Sequence, residues 1–285
     1  MTSPRGSNVV DDALRRAVHA VASADALLIT AGAGMGVDSG LPDFRGKEGF
    51  WRAYPAFQRL GLDFPSLANP RWFTADPTLA WGFYGHRLNL YRTATPHAGF
   101  HILRSWARRM SLGAFVATSN VDGHFQRAGF DCTRVLEVHG TIHRMQCTRS
   151  CGQDVFPADS VEVAVDTTTL RACPPLPACS ACGALARPNI LLFGDWDWDS
   201  RQANVQESRL RDWLTTVHGR KFVIVECGAG QAIPTIRHMS EAVADRPGAT
   251  LVRINPREPQ VPSGGIGLPL GALEALRAIS ARMPS

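Results

Sequence analysis

The chain has 285 residues, 45% of them hydrophobic, which suits one large globular domain or two smaller ones. No apolar run approaches the ~20 residues of a membrane helix, and the first residues hold no signal-peptide core. A cytoplasmic protein with no membrane partner is therefore expected. The net charge is +5, but the arginines are scattered and Lys47 and Lys221 are the only lysines, which argues against nucleic acid as a partner.

Residues 9–24 carry Leu14, Ala17, Val18 and Val21 at helical spacing and lead into a short apolar run, Ala26 to Ile29, that reads as a buried strand. Gly32, Gly34 and Gly36 follow at once. Glycines there let the backbone turn sharply and approach a bulky anion. A helix from near Val37 would aim its N–H groups at that anion. By the glycines alone, a plain tight turn explains the stretch equally well. The Rossmann pattern Gly-x-Gly-x-x-Gly has Val37 where its third glycine belongs, and no acidic residue clearly ends a second strand. The continuation, Ser39-Gly-Leu-Pro-Asp43-Phe44-Arg45-Gly46, favours the ligand, since a turn needs no Asp, aromatic and Arg in a row.

Residues 47–95 are rich in aromatics and prolines and read as a helical insertion over the mouth of the site. Most of these aromatics are expected to pack in a core. Within them, Trp81-Gly-Phe-Tyr84-Gly-His-Arg87 puts Tyr84 and Arg87 three apart on one helix face. An Arg there holds a carboxylate with two parallel bonds and a Tyr adds a third. The competing reading is an amphipathic helix with a snorkelling Arg.

Helical spacing resumes over 98–110, followed by a strand from Ala114 to Asn120 that runs into Val121-Asp122-Gly-His124-Phe125. Polar residues such as Ser119, Asn120 and Asp122 at the carboxyl end of a strand mark a ligand site in an open α/β sheet. They also suit a capped turn. A further strand, Arg134 to Val138, ends at His139-Gly140, where an imidazole is placed for acid–base work.

Cys147 and Cys151, then Cys179 and Cys182 after 27 intervening residues, form two close pairs. Four thiolates suit a closed, structural, tetrahedral Zn²⁺ site. Cys173 could compete as a ligand, and four buried free thiols are the alternative; Cys132 and Cys227 are expected in the core. Arg187 to Gly194 returns to the sheet, and Asp195-Trp196-Asp-Trp-Asp199 follows. Three acids and two tryptophans there suggest a basic or bulky partner, or a surface loop whose indoles pack downward. The chain closes with a strand Phe222–Val225, Gly228 and Gly230 before Pro234, a strand Thr250–Ile254 ending at Asn255, and a helix from 272 to 281.

Taken in order, these motifs resemble the sirtuins, the NAD-dependent protein deacylases, over about residues 10–280. Gly32-Ala33-Gly34 through Gly46 is similar to the family's Gly-Ala-Gly-x-Ser-x-x-Ser-Gly-Ile-Pro-Asp-Phe-Arg-Gly, with Gly36 in place of the first Ser. Thr118-Ser-Asn-Val-Asp-Gly-His-Phe125 resembles Thr-Gln-Asn-Ile-Asp-Gly-Leu-His, and Glu137-Val-His139-Gly resembles Glu-x-His-Gly. The largest departure is Asp195–Asp199, which replaces Glu-x-Leu-Pro after Phe193-Gly194.

The resemblance implies a doubly wound, Rossmann-like parallel sheet over residues 8–46, 96–140 and 189–285. It implies a smaller discontinuous domain made of the helical insertion at 47–95 and a zinc ribbon at 141–188. NAD would lie across Gly32, Ala33, Gly34 and the Gly228–Gly230 loop, near Ser119 and with Asn255 near the adenosine ribose. Phe44 and Arg45 would cover the nicotinamide end, and Asp43 would also bind the cofactor. Asn120 and Asp122 would contact the nicotinamide ribose and amide, and His139 would be the general base. Phe193, Gly194, Asp195 and Trp196 would meet an acylated-lysine protein or peptide, and the Tyr84–Arg87 pair resembles the mark of enzymes that remove succinyl or malonyl groups. Products would be free lysine, nicotinamide and O-acyl-ADP-ribose. An ADP-ribosyltransferase or NAD hydrolase is the first alternative, favoured by the altered Asp195–Asp199 loop. A non-catalytic NAD-binding scaffold is the second, favoured by the changes at Gly36, Ser119 and Gly230.

Overall fold

A computed structural model describes residues 4–42, 50–52, 54–59, 61–166 and 168–284. Its strands are β1 (Ala26–Ala31), β2 (Ala114–Thr118), β3 (Val135–Glu137), β4 (Gly140–Cys147), β5 (Phe156–Pro157), β6 (Val165–Asp166), β7 (Arg171–Ala172), β8 (Ala186–Ile190), β9 (Phe222–Cys227), β10 (Ala249–Ile254) and β11 (Ile266–Leu268). Six of them form one sheet in the order β11-β10-β9-β1-β2-β3. Every pair in it is parallel. Read by position in that sheet, the order is that of the doubly wound dinucleotide-binding fold.

The central strands are apolar throughout because both faces are covered. All six residues of β1 are buried. Leu27 and Ile29 point to a core shared with the helices Pro4–Ala22, Ala98–Arg109 and Ala272–Ser280. Ala26 and Leu28 point to the opposite core, with Leu210, Trp213 and Val243 from the helices Arg201–Thr216 and Thr235–Ala244. This is the alternation that a strand imposes on its side chains.

A third core holds Trp81, Phe83, Tyr84 and Leu88 of the helix Pro77–Thr93 against Ile142, Met145, Val163 and Leu170. The helix starts where Asp76 accepts the Leu79 N–H and Pro77 takes the first turn. Its Gly82 and Gly85 let the β6–β7 hairpin sit on the helix backbone. A Cβ on Gly82 would stand 1.9 Å from the Leu170 carbonyl oxygen, and one on Gly85 would stand 2.4 Å from Val163 Cγ1. Trp81 Nε1 donates to the Ala186 carbonyl at 3.0 Å, so the helical segment and the cysteine-bearing segment share one interior.

Three expectations change. Cys132 is exposed rather than in the core, in a 3-10 turn that Asp131 caps ahead of β3, while Cys227 is buried as expected. The stretch from Arg187 does not rejoin the parallel sheet: β8 pairs antiparallel with β4 in a separate three-stranded sheet, because Gly140 and Thr141 lie opposite Ile190 and Asn189. Among the described residues, no α-helix begins near Val37; Ala33–Met35 and Val37–Ser39 form short 3-10 turns. Gly40, at φ +79°, ends the second turn, and Pro42 disfavours helical backbone at Leu41.

Candidate functional site

Ligands of an open α/β sheet bind beyond the carboxyl ends of its strands, where the strand order reverses. Here that point lies between β1 and β9, and a glycine loop follows each. The loops meet backbone to backbone. The Gly34 N–H donates to the Gly228 carbonyl at 3.1 Å. A Cβ on Gly32 would stand 2.8 Å from Ala229 Cα, and one on Gly228, at φ +64°, 2.4 Å from Gly34 Cα. Only glycine gives this approach. Ala33 and Gly230 lie in the same two loops.

Neighbouring strand ends are tied to this cradle. Asn120 Nδ2 donates to the Gly32 carbonyl at 3.0 Å, and Asn255, fully buried at the end of β10, donates to the Ala229 carbonyl at 2.8 Å. Ser119 donates its backbone N–H to Ala31 at 3.0 Å. The buried Asp122 accepts the His124 N–H at 2.9 Å, and its carbonyl lies 2.9 Å from His143 Nε2. The capped turn and the polar strand end are therefore one structure. Asp43, Phe44 and Arg45 lie outside the described residues.

His139 stands just past β3, half-buried, with Nε2 3.4 Å from Thr235 Oγ1. Thr235 opens the helix Thr235–Ala244, and no sequence signal singled it out. Burial lowers the His139 pKa, against an opposing interaction with the Ser119 backbone. The ring is then neutral at pH 7 and able to accept a proton. Two residues upstream, burial pushes the Glu137 carboxyl up to about 7, against hydrogen bonds from Gln126, Thr141 and Gln206. The His139 carbonyl accepts the Leu191 N–H at 3.0 Å. Exposed apolar side chains stand on the segments that reach His139, Leu191 and Phe193 on one and Ile233 on the other.

The Phe193 N–H is already given to the Ala68 carbonyl at 2.9 Å, and its carbonyl takes Asn69 Nδ2 at 3.1 Å. Gly194 follows in left-handed backbone at φ +67°. Asp195 turns inward: its fully buried carboxylate accepts both Arg187 Nη1 and Nη2, at 2.7 and 2.8 Å. Trp196 does the opposite, with 96% of its surface exposed.

Tyr84 and Arg87 share a face of the helix Pro77–Thr93, both buried. Arg87 donates from Nε and Nη2 to Tyr91 Oη at 3.0 and 2.8 Å. Its Cζ lies 5.2 Å from the Phe83 ring centre and 5.8 Å from that of Tyr84. Tyr84 stacks on Phe73, and its Oη has no hydrogen-bond partner among the described residues. Burial raises its pKa.

The sulfurs of Cys147, Cys151, Cys179 and Cys182 all lie within 4.8 Å of one another. Cys147 and Cys182 are 3.6 Å apart, and Cys151 and Cys179 3.7 Å. A tetrahedron with Zn–S bonds of about 2.3 Å requires sulfurs about 3.8 Å apart, so the four thiols fit that ion. Cys173 is not in this cluster. No helix among the described residues is long and apolar enough to cross a membrane.

Together these features define a dinucleotide-binding α/β protein with a four-cysteine module. The Sir2 family profile matches residues 32–225, and the chain belongs to that family. An NAD-dependent protein deacylase of Aeropyrum pernix is 32% identical over 256 residues, covering 88% of this chain and 90% of that one. The mitochondrial NAD-dependent protein deacylase sirtuin-5 of Canis lupus familiaris is 34% identical over 189 residues, covering 61% and 57%. A Sir2 homologue solved with NAD superposes with a TM-score of 0.65 at 26% identity, covering 94% and 92%.

Proposed function

We propose that this chain removes acyl groups from lysine side chains of proteins or peptides, consuming NAD. The observation that carries the reading is the tie between strand ends and glycine cradle: Asn120 donates to the Gly32 carbonyl, and His139, at the next strand end, lies 3.4 Å from Thr235 of the helix that follows the Gly228 loop. NAD supplies a ribose carbon that becomes electrophilic as nicotinamide leaves. Gly32, Gly34, Gly228 and Asn255 would hold it through backbone and amide groups, and Asn120 and Asp122 would fix its nicotinamide end. His139, neutral at pH 7, takes a proton from a ribose hydroxyl so that this oxygen can accept the acyl group. The glycine loops and the shared aromatic core position the reactants and exclude water. One acyl-lysine, one NAD and one water yield lysine, nicotinamide and O-acyl-ADP-ribose.

Acidic acyl groups are the preferred substrates in this reading. The Tyr84 hydroxyl, without a hydrogen-bond partner among the described residues, lies on the same helix face as the Arg87 guanidinium, so a carboxylate on that face would meet a hydroxyl donor beside a fixed positive charge. The test uses NAD with matched peptides bearing acetyl-, malonyl- or succinyl-lysine, followed by mass spectrometry. Faster acyl-ADP-ribose formation from the acidic groups, lost in R87M, supports the clamp. Faster acetyl removal discards the clamp and keeps the deacylase. Nicotinamide release without acyl transfer to ADP-ribose sinks the deacylase in favour of NAD hydrolysis or ADP-ribosyl transfer.

A further inference from the structure

The loop from Asp195 to Asp199 is fixed from beneath. Besides the Arg187–Asp195 pair, Gln146 Nε2 donates to the Asp197 carbonyl at 2.8 Å, Gln146 Oε1 accepts the Asp199 N–H at 3.2 Å, and Asn189 Nδ2 donates to the Asp199 carbonyl at 3.0 Å. On this fixed loop Trp196 stays 96% exposed, although an indole gains free energy by burial. Beside it opens a cavity of about 430 Å³ lined by Gln146, Cys147, Trp196, Asp197, Trp198 and Asp199. Its back wall, Trp198, stands against the start of β4, next to His139 in the chain: Nε1 is 3.3 Å from where a Cβ on Gly140 would be.

The cavity is negative as well as aromatic. Arg201 is a cation of its lining, but Asp199 at 2.6 Å and Asp154 at 2.7 Å both hold it. The exposed Asp197 forms no ion pair among the described residues. Four thiolates around Zn²⁺ would add a formal double negative charge at the Cys147 wall, offset in part by Arg149 nearby. Indole faces beside carboxylates recognise organic cations.

We propose that this cavity takes a basic side chain, lysine or arginine, that flanks the acylated lysine in the substrate. The chain then selects acyl-lysines in basic sequence. This rests on the deacylase reading for the peptide's place in the cleft, but binding tests it separately. Labelled acyl-lysine peptides differing only in Arg, Ala or Glu at positions one to four residues from the acyl-lysine are titrated by anisotropy without NAD, then assayed with it. Arg peptides are expected to bind and react about tenfold better than Ala peptides, chiefly through KM, with the advantage shrinking in high salt. Trp196→Ala and Asp197→Asn should each bring the Arg-to-Ala ratio to within about twofold. Equal binding of all peptides, a preference for Glu, or an Arg preference that survives in both variants overturns the site. Deacylation without flank preference removes the site and keeps the deacylase. Arg-selective binding that the variants abolish, without turnover, keeps the site and removes the deacylase.

Discussion

His139 works as a base only while its imidazole is neutral, and burial favours that form. The acid limb of kcat/KM should therefore fall below the usual imidazole value of about 6.5. His139→Ala should lower deacylation by at least about a hundredfold while NAD affinity, read by calorimetry, changes little. Retained deacylation in that variant would remove the base assignment. Glu137 tests the same strand differently. Its carboxyl moves from 4.5 unfolded to about 7 folded, so the native state holds the proton more tightly. Stability from this group is fully present below about 4.5 and is lost as pH rises through about 7, by on the order of 3 kcal/mol. Glu137→Gln lacks this slope. The difference in urea midpoint between variant and wild type should move in the variant's favour from pH 5 to pH 8; a pH-independent difference would show that Glu137 ionises freely. The histidines that burial depresses act on both proteins alike and cancel.

At the scale of elements, what the sequence made legible was what repeats at a period or clusters at a spacing. The apolar run at β1, the helical spacing of Leu14, Ala17 and Val21 and the two cysteine pairs all stand where their patterns put them. Asp195 was legible as an acid but not as the buried partner of Arg187, because a contact eight residues away through a turn leaves no periodic trace. Thr235 was hidden for the same reason: only the fold brings the first turn of that helix to His139. The helix expected near Val37 lost to local chemistry, Gly40 and Pro42, which leaves 3-10 turns after β1. Gly82 shows how a tertiary approach decides a residue that helix propensity alone would reject. Since the Leu170 carbonyl is backbone and cannot swing away, Gly82→Ala should destabilise the fold by about 3 kcal/mol or more despite the better propensity of Ala. A thermal melt with unchanged or raised Tm would contradict this close approach.

For the whole molecule, the third core makes the four-cysteine module and the Tyr84–Arg87 helix a single mechanical unit. Residues of β4, β8 and the β6–β7 hairpin pack on that helix, and Cys147 ends β4 itself. Ligand and fold are thus linked: an ion that binds only the folded module stabilises everything sharing its interior. One zinc per chain is the expected stoichiometry by elemental analysis. Cys173→Ser should keep that ratio and the wild-type Tm, because Cys173 lies outside the sulfur cluster. Cys151→Ser should lose the metal and melt earlier, and its deacylation should fall although Cys151 lies in a zinc knuckle rather than among the reacting groups. The parallel sheet has its own two cores, so the loss should unfold the module before the sheet, giving a first transition that a chelator reproduces in the wild type. A metal-free wild type with the same melt, or metal loss in Cys173→Ser, would refute the tetrahedral site drawn from these four sulfurs.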